Sequence, residues 1–227
     1  MLPLTAAQLP LGLLLLLAIF WVVQRALRVS YEPRDTLLGL VLAGAAVGFT
    51  YLLTLWIGLD TAPTAPEGLE AVLLGLLGGI PAVGLNALLI VWRAGPVDAR
   101  GTASAAGYGF ALANIVSGAI SSAHIRLIAF SMVWHLTPML LLSILVPVLV
   151  SLSLGFGRDH HRLALYAVLA VLLLTLNEWA DRTLLLTSSF VAYEVVAVLL
   201  AAGLLALVVR AYQVEKGSDL RGASSRP

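Results

Sequence analysis

The sequence predicts an all-α, polytopic membrane protein built as a bundle of about seven transmembrane helices. Three observations lead to this fold class: 60% of the 227 residues are hydrophobic, 11% are charged, and the mean hydropathy is +1.00. A water-soluble domain carries about 25% charged residues, so this chain has too few charges to cover a surface in water. We therefore exclude a soluble globular enzyme and a disordered protein.

Charge and cysteine content exclude further classes of protein. The net charge of +1 leaves no basic footprint for nucleic acid, so no nucleic-acid partner is expected. The chain has no cysteine, which excludes disulfides, thiolate metal sites and a cysteine nucleophile. We expect no cofactor and no metal, because His135 is the one imidazole well placed within a span and a zinc site usually needs more histidines.

Seven segments are long and apolar enough to cross the hydrocarbon core, which takes about 20 residues. The first runs without charge from Leu11 to Val23, and the second and fourth are rich in glycine and alanine. Pro81 in the third and Pro138 and Pro147 in the fifth provide places to bend. We expect one bundle over residues 1–214, with spans at about 8–28, 36–58, 68–92, 102–122, 126–155, 162–185 and 187–211.

The distribution of lysine and arginine predicts the orientation of these spans. Positive residues gather on the cytoplasmic side of membrane proteins. Eleven of the thirteen lie in the first, third and fifth connections and the C-terminal tail, and Arg126 and Arg182 lie on the other side. We therefore expect the N-terminus outside and a polar, disordered cytoplasmic tail over residues 215–227. The protein is predicted to be a multi-pass protein of a cell membrane, a prokaryotic plasma membrane, in contact with lipids.

Polar side chains inside a membrane are costly unless they are paired or hydrated, so they are the first candidates for function. With the predicted orientation, they gather in the outer half of the bundle, and the inner half holds little beyond Asn86. We predict a shared polar cavity there, formed by residues from several spans. Its predicted members are Asn114, Arg126, Glu178, Asp181 and Glu194, together with Glu70, His135 and Asn177.

These residue types suit hydrolysis. A carboxylate and an imidazole can activate a water molecule, and neutral amides can donate to a developing oxyanion. Each residue also has a plain structural alternative. Glu178 and Arg182 have the i, i+4 spacing of a helical ion pair, and Glu70 suits the first turn of a helix. His135 can simply bond to a neighbouring helix.

Several short patterns along the chain resemble the PrsW family of intramembrane proteases, relatives of the CAAX prenyl endopeptidases. Tyr31-Glu32-Pro33 precedes the second span, and Asp98 leads through small residues to Gly109-Phe110-Ala111. Arg126 is followed by the membrane residue His135, and Asn177 stands four residues before Asp181. The resemblance covers most of residues 15–185.

The resemblance implies that Glu70 and His135 activate water while Asn177 assists the oxyanion. The chain departs from the family pattern at four places. Ala71 stands where the second glutamate of a pair is expected, and Leu74 stands where a basic residue follows that pair. Asn114 stands at the position of a glutamate in span four, and Asn177 replaces a histidine. These losses favour a catalytically degenerate protein.

Three functions stay open from the sequence. The first in rank is a scaffold or accessory subunit of a membrane complex, which packs against other membrane proteins through its glycine- and alanine-rich helix faces. The second is an active, glutamate-dependent endopeptidase that cleaves a membrane-anchored substrate near the outer face. The third is a carrier of a small molecule or lipid.

Overall fold

The computed structural model describes residues 4–29, 32–58, 68–94, 99–121, 133–184 and 190–224. These residues form seven α-helices and no strand, and all seven helices are long and apolar enough to cross a membrane. The predicted fold class is thereby confirmed. The helices are α1 (Leu4–Leu27), α2 (Pro33–Ile57), α3 (Gly68–Arg93), α4 (Arg100–Ser121), α5 (Val133–Asp159), α6 (Leu163–Leu184) and α7 (Phe190–Ser224).

Helix boundaries differ most from the expected spans at the end of α7. The sequence predicts a disordered tail from residue 215, whereas the helix continues to Ser224. Adding residues to an existing helix is far easier than nucleating one, so a polar segment can extend a helix that the membrane already stabilises. The first seven residues of the predicted fifth span lie outside the described residues.

The start and end of α2 follow from local chemistry. Pro33 occupies the first turn, where its missing N–H costs no hydrogen bond. Gly58 ends the helix with a φ of 75°, and its N–H donates to the Leu55 carbonyl. Glycine adopts this left-handed conformation without the steric penalty of a side chain.

The centre of the bundle is formed by α4 and α5. Most residues of these two helices are buried, whereas fewer than one in five are buried in the spans of α1, α2 and α6. The described residues of α4 pack against α1, α2, α3 and α5. Those of α5 also contact α6 and α7, and α3 packs along α6. The other helices therefore surround the α4–α5 pair.

Glycines allow the close helix crossings in this bundle. A Cβ atom added to Gly39 would lie 2.7 Å from the Ala106 carbonyl oxygen, and one added to Gly107 would lie 2.9 Å from Val148 Cα. Small residues let membrane helices approach this closely, which increases van der Waals contact between their backbones.

Exposed tryptophans mark both ends of the apolar belt. Trp21 and Trp92 lie near the arginine-rich end of the bundle, which is the end that carries Arg25, Arg93, Arg100 and Arg158. Trp56 and Trp179 lie near the opposite end. Helical rise separates the two ends of α2 by about 35 Å, close to the thickness of a bilayer core. Tryptophan favours the membrane–water interface, so the helices fit a spanning arrangement.

Candidate functional site

Asn177 on α6 and Glu194 on α7 both lie toward the end of the bundle opposite the arginine-rich end. The Tyr193 hydroxyl donates to Asn177 Oδ1 at 3.1 Å and therefore ties α6 to α7. Glu194, the next residue, is buried with 2% exposure. Glu178 is half-buried, and both glutamates have polar or electrostatic partners. The Tyr193–Asn177 bond joins α6 to α7 through one predicted member of the polar cluster, and the cluster as a whole stays a prediction.

Glu70 reaches the same level through the packing of α3 against α6. A Cβ atom added to Gly75 would lie 2.8 Å from Thr175 Cα, and Gly79 faces Val171. These two contacts show that α3 and α6 are antiparallel, because the residue number rises along α3 while that of the facing residue falls along α6. Continuing that register outward by about one and a half turns puts half-buried Glu70 level with Ala180. It therefore lies at the height of Glu178.

Asn114 has a different place in the structure. It is exposed on α4, and no Cα of the described part of α4 lies within 8 Å of a described Cα of α6 or α7. The Cα of Asn114 is therefore more than 8 Å from the Cα atoms of Asn177 and Glu194, and their shared cavity stays a prediction. Its Nδ2 donates to the Ser143 carbonyl on α5 at 3.5 Å.

The carbonyl that Asn114 reaches lacks its usual helical donor. In an α-helix the Ser143 carbonyl would accept from residue 147, but Pro147 has no N–H. A similar pairing occurs in α3, where Pro81 leaves the Leu77 carbonyl without its donor and the Thr50 hydroxyl donates to it at 3.2 Å. Asn114 and Thr50 thus support proline positions from neighbouring helices.

We predict that Asn114→Ala lowers the free energy of unfolding by about 0.5 kcal/mol, which is typical of a hydrogen bond between membrane helices. The same change should have no effect in a Pro147→Ala background, because that substitution restores the backbone N–H for Ser143. A double-mutant cycle measured by unfolding in detergent checks this prediction. Equal losses in both backgrounds would show that Asn114 does not act through the Pro147 site.

Three predicted site residues cannot be placed. Arg126 lies outside the described residues, and so do the side chains of His135 and Asp181. The pairing of Glu70 with His135 therefore stays a prediction. Among the described residues, no group of three or more side chains is arranged to hold a metal ion.

The expectation that the inner half holds little beyond Asn86 is wrong, because the arginine-rich end contains a buried ionic network. Asp35 is 1% exposed, and it accepts hydrogen bonds from Arg93 Nε at 2.9 Å and from the Thr102 hydroxyl at 3.1 Å. Glu32 lies 3.4 Å from Arg93 Nη2. This network joins α2, α3 and α4. The sequence contains a sign of this network, because opposite charges stand where α2 begins and where α3 ends, at the same end of the bundle.

Two further polar contacts hold the same half of the bundle. The Asp159 carboxylate accepts from the backbone N–H of Ala99 at 3.0 Å and from Arg158 at 3.0 Å. Deeper in the membrane, Asn86 Nδ2 donates to the Ser151 hydroxyl at 2.6 Å, which links α3 to α5. The Asn86 bond is buried between helices, and the Asp159 bonds lie at helix ends. Both therefore stabilise the packing of the bundle.

An apolar groove of about 300 Å³ lies between α5 and α7, next to Glu194. None of its lining side chains is a carboxylate, an imidazole or an amide, so the groove itself supplies no group for hydrolysis. It is lined by Thr137, Pro138, Leu141, Val195, Val198 and Leu199.

Comparisons with protein-family models, with curated proteins and with solved structures find no match to this chain.

Proposed function

We propose that this protein is a PrsW-like membrane protein without protease activity, which acts as a scaffold or accessory subunit of a complex in a prokaryotic plasma membrane. We place its binding surface on the side of α2 that points away from the other helices. One observation carries it: α2 presents an open pair of glycines, Gly44 and Gly48, on a face that no other described helix covers.

The position of α2 leaves that face available to a partner. Its described residues contact α3 and α4 and no other described helix. On the side away from these contacts, the exposed side chains include Val41 at 66% and Leu52 at 65%. Between them, a Cβ atom added to Gly44 or Gly48 would meet nothing within 4 Å. A second helix could therefore approach the α2 backbone closely.

The use of glycine elsewhere in the chain supports this reading. At Gly39, Gly75 and Gly107 an added Cβ would come within 3.0 Å of a backbone atom of a neighbouring helix. Glycine in the middle of a helix is unfavourable relative to alanine, and these crossings offset that cost. Gly44 and Gly48 have the i, i+4 spacing of a helix-association motif but lack a partner helix among the described residues.

The residues that could carry hydrolysis are reduced in number. Ala71 and Asn114 stand where the resemblance calls for glutamates, and Asn114 is engaged with the carbonyl left open by Pro147. Glu70 is then the one aligned carboxylate. Peptide hydrolysis needs an activated water and a stabilised oxyanion at one place. The remaining groups favour a packing role over a catalytic one.

We predict that Gly44→Leu combined with Gly48→Leu reduces the mass of the complex extracted in a mild detergent to that of the chain alone. The added side chains would block close approach of a partner helix, while the fold should persist because a Cβ atom at either position meets nothing within 4 Å. Gly84→Leu is the matched control, since Gly84 also has open space around it but lies on α3. The native mass of each variant checks the prediction.

An unchanged mass in the double variant, or an equal loss in Gly84→Leu, would contradict the role of α2. The peptidase alternative rests on the common level of Glu70 and Glu178. Cleavage of a co-expressed single-span substrate by the wild type, lost in Glu70→Gln, would establish that alternative in place of the scaffold role.

A further inference from the structure

In the described part of the chain, the arginine-rich end of the bundle carries more positive charge than its carboxylates balance. Among the described side chains, the acids at this end are Glu32, Asp35 and Asp159, and all three face Arg93 or Arg158. The arginines left without a described acidic partner are Arg25, Arg28, Arg34, Arg162 and Arg210, and all five are exposed. An external anion would complement this charge.

Two of these arginines flank the contact between α1 and α7. The Gln213 side chain donates to the Ala26 carbonyl at 2.9 Å, which fixes the two helices side by side at this end. Arg25 directly precedes Ala26. Arg210 lies about one turn before Gln213 on α7, on neighbouring positions of the helix surface. Both cations therefore lie at similar depth on the two helices that this bond joins.

Arg25 is held by an aromatic side chain that belongs to the membrane interface. Its guanidinium carbon lies 5.4 Å from the centre of the Trp21 ring, and Trp21 is 62% exposed. Cation–π contact restricts the arginine, which lowers the entropy that an incoming anion must remove. Tryptophan also favours the depth of lipid headgroups. Arg25 is thus positioned at headgroup level.

The surface below the two arginines is apolar and shallow. One and two turns deeper than Arg210, α7 exposes Ala206 and Gly203, and a Cβ atom added to Gly203 would meet nothing within 4 Å. At the corresponding depth α1 exposes Ala18 and Val22. A ligand with a phosphate at headgroup level and hydrocarbon beneath it matches both the charge and the polarity of this surface.

We propose that the α1–α7 contact at the arginine-rich end is a binding site for an anionic glycerophospholipid. The guanidinium groups of Arg25 and Arg210 bind the phosphate, and an acyl chain lies along the track of small residues formed by Ala18, Gly203 and Ala206. Arginine suits this role because its planar donors match phosphate oxygens.

The test uses the full chain in a neutral detergent, titrated with phosphatidylglycerol or with phosphatidylcholine while the thermal unfolding midpoint is measured. Phosphatidylglycerol is expected to raise the midpoint of the wild type, and phosphatidylcholine is expected to raise it less. In Arg25→Gln combined with Arg210→Gln, the half-saturating concentration of phosphatidylglycerol should rise about 30-fold, from about 1 kcal/mol per arginine.

Two further variants make the result specific. Arg34→Gln removes the same charge from α2, whose described residues do not contact α1 or α7, and should shift the half-saturating concentration less than twofold. Arg210→Gln alone should weaken phosphatidylglycerol binding about fivefold. This single variant replaces the double variant in the test if the double variant does not fold. An equal response of the wild type to both lipids would overturn the site. So would an equal loss of binding in Arg34→Gln.

Discussion

Replacing Arg93 with leucine is expected to lower the thermal unfolding midpoint of the detergent-solubilised protein by about 10 °C. The substitution removes the guanidinium that donates to Asp35 at 2.9 Å. Asp35 is 1% exposed, so its carboxylate would remain buried, with the Thr102 hydroxyl still donating to it. A buried charge that loses its counter-ion is far more destabilising than the intact pair is stabilising.

The matched variant combines Asp35→Leu with Arg93→Leu. Removing both charges leaves no unpaired carboxylate in the interior, so the double variant should recover most of the lost midpoint. Glu32→Gln should have little effect, because the Glu32 side chain is 63% exposed and screened by water. A double variant as unstable as Arg93→Leu would mean that packing, and not charge pairing, holds this end together.

Gly109→Ala is expected to lower the free energy of unfolding by about 2–3 kcal/mol, because it overpacks the crossing of α2 and α4. The new Cβ would lie 2.6 Å from the Leu40 nitrogen and 2.8 Å from the Gly39 carbonyl carbon. These neighbours are backbone atoms, so no flexible side chain can move aside. The two helices would have to separate.

Gly44→Ala is the control for this prediction. It makes the same chemical change on α2, and its Cβ meets nothing within 4 Å. It should leave the stability unchanged or raise it slightly, since alanine favours the helix over glycine. Denaturant unfolding of both variants in the same detergent gives the comparison. Equal stability of the two variants would show that the backbones of α2 and α4 are far enough apart at Gly109 to accept a Cβ atom.

The fold class could be predicted because it depends on composition and segment length. Each apolar segment must satisfy its own backbone hydrogen bonds in the membrane, and a helix does so without knowledge of its neighbours. The positions of the spans therefore follow from the sequence to within a few residues. The end of α7 is the exception, since hydropathy reports where a helix leaves the membrane and not where it stops.

The partners of the polar residues could not be predicted in the same way. Depth along a span follows from residue number, but the face of each helix and its neighbour depend on packing across the whole bundle. The sequence does not indicate a partner for the Asn114 amide. In the structure it donates to the Ser143 carbonyl, 29 residues later, which lacks a helical donor because residue 147 is proline. Asp35 and Arg93 are 58 residues apart, and their pairing depends on how α2 and α3 pack.

Site-specific photo-crosslinking from the exposed face of α2 in native membranes tests the scaffold role most directly. A photoreactive amino acid at Val41, one turn from Gly44, is compared with the same amino acid at Leu207 on α7; both positions are more than 60% exposed. We predict a discrete protein adduct from position 41 that disappears when Gly44→Leu and Gly48→Leu are added, and lipid adducts alone from position 207. Lipid adducts alone from both positions would contradict the proposed role of α2.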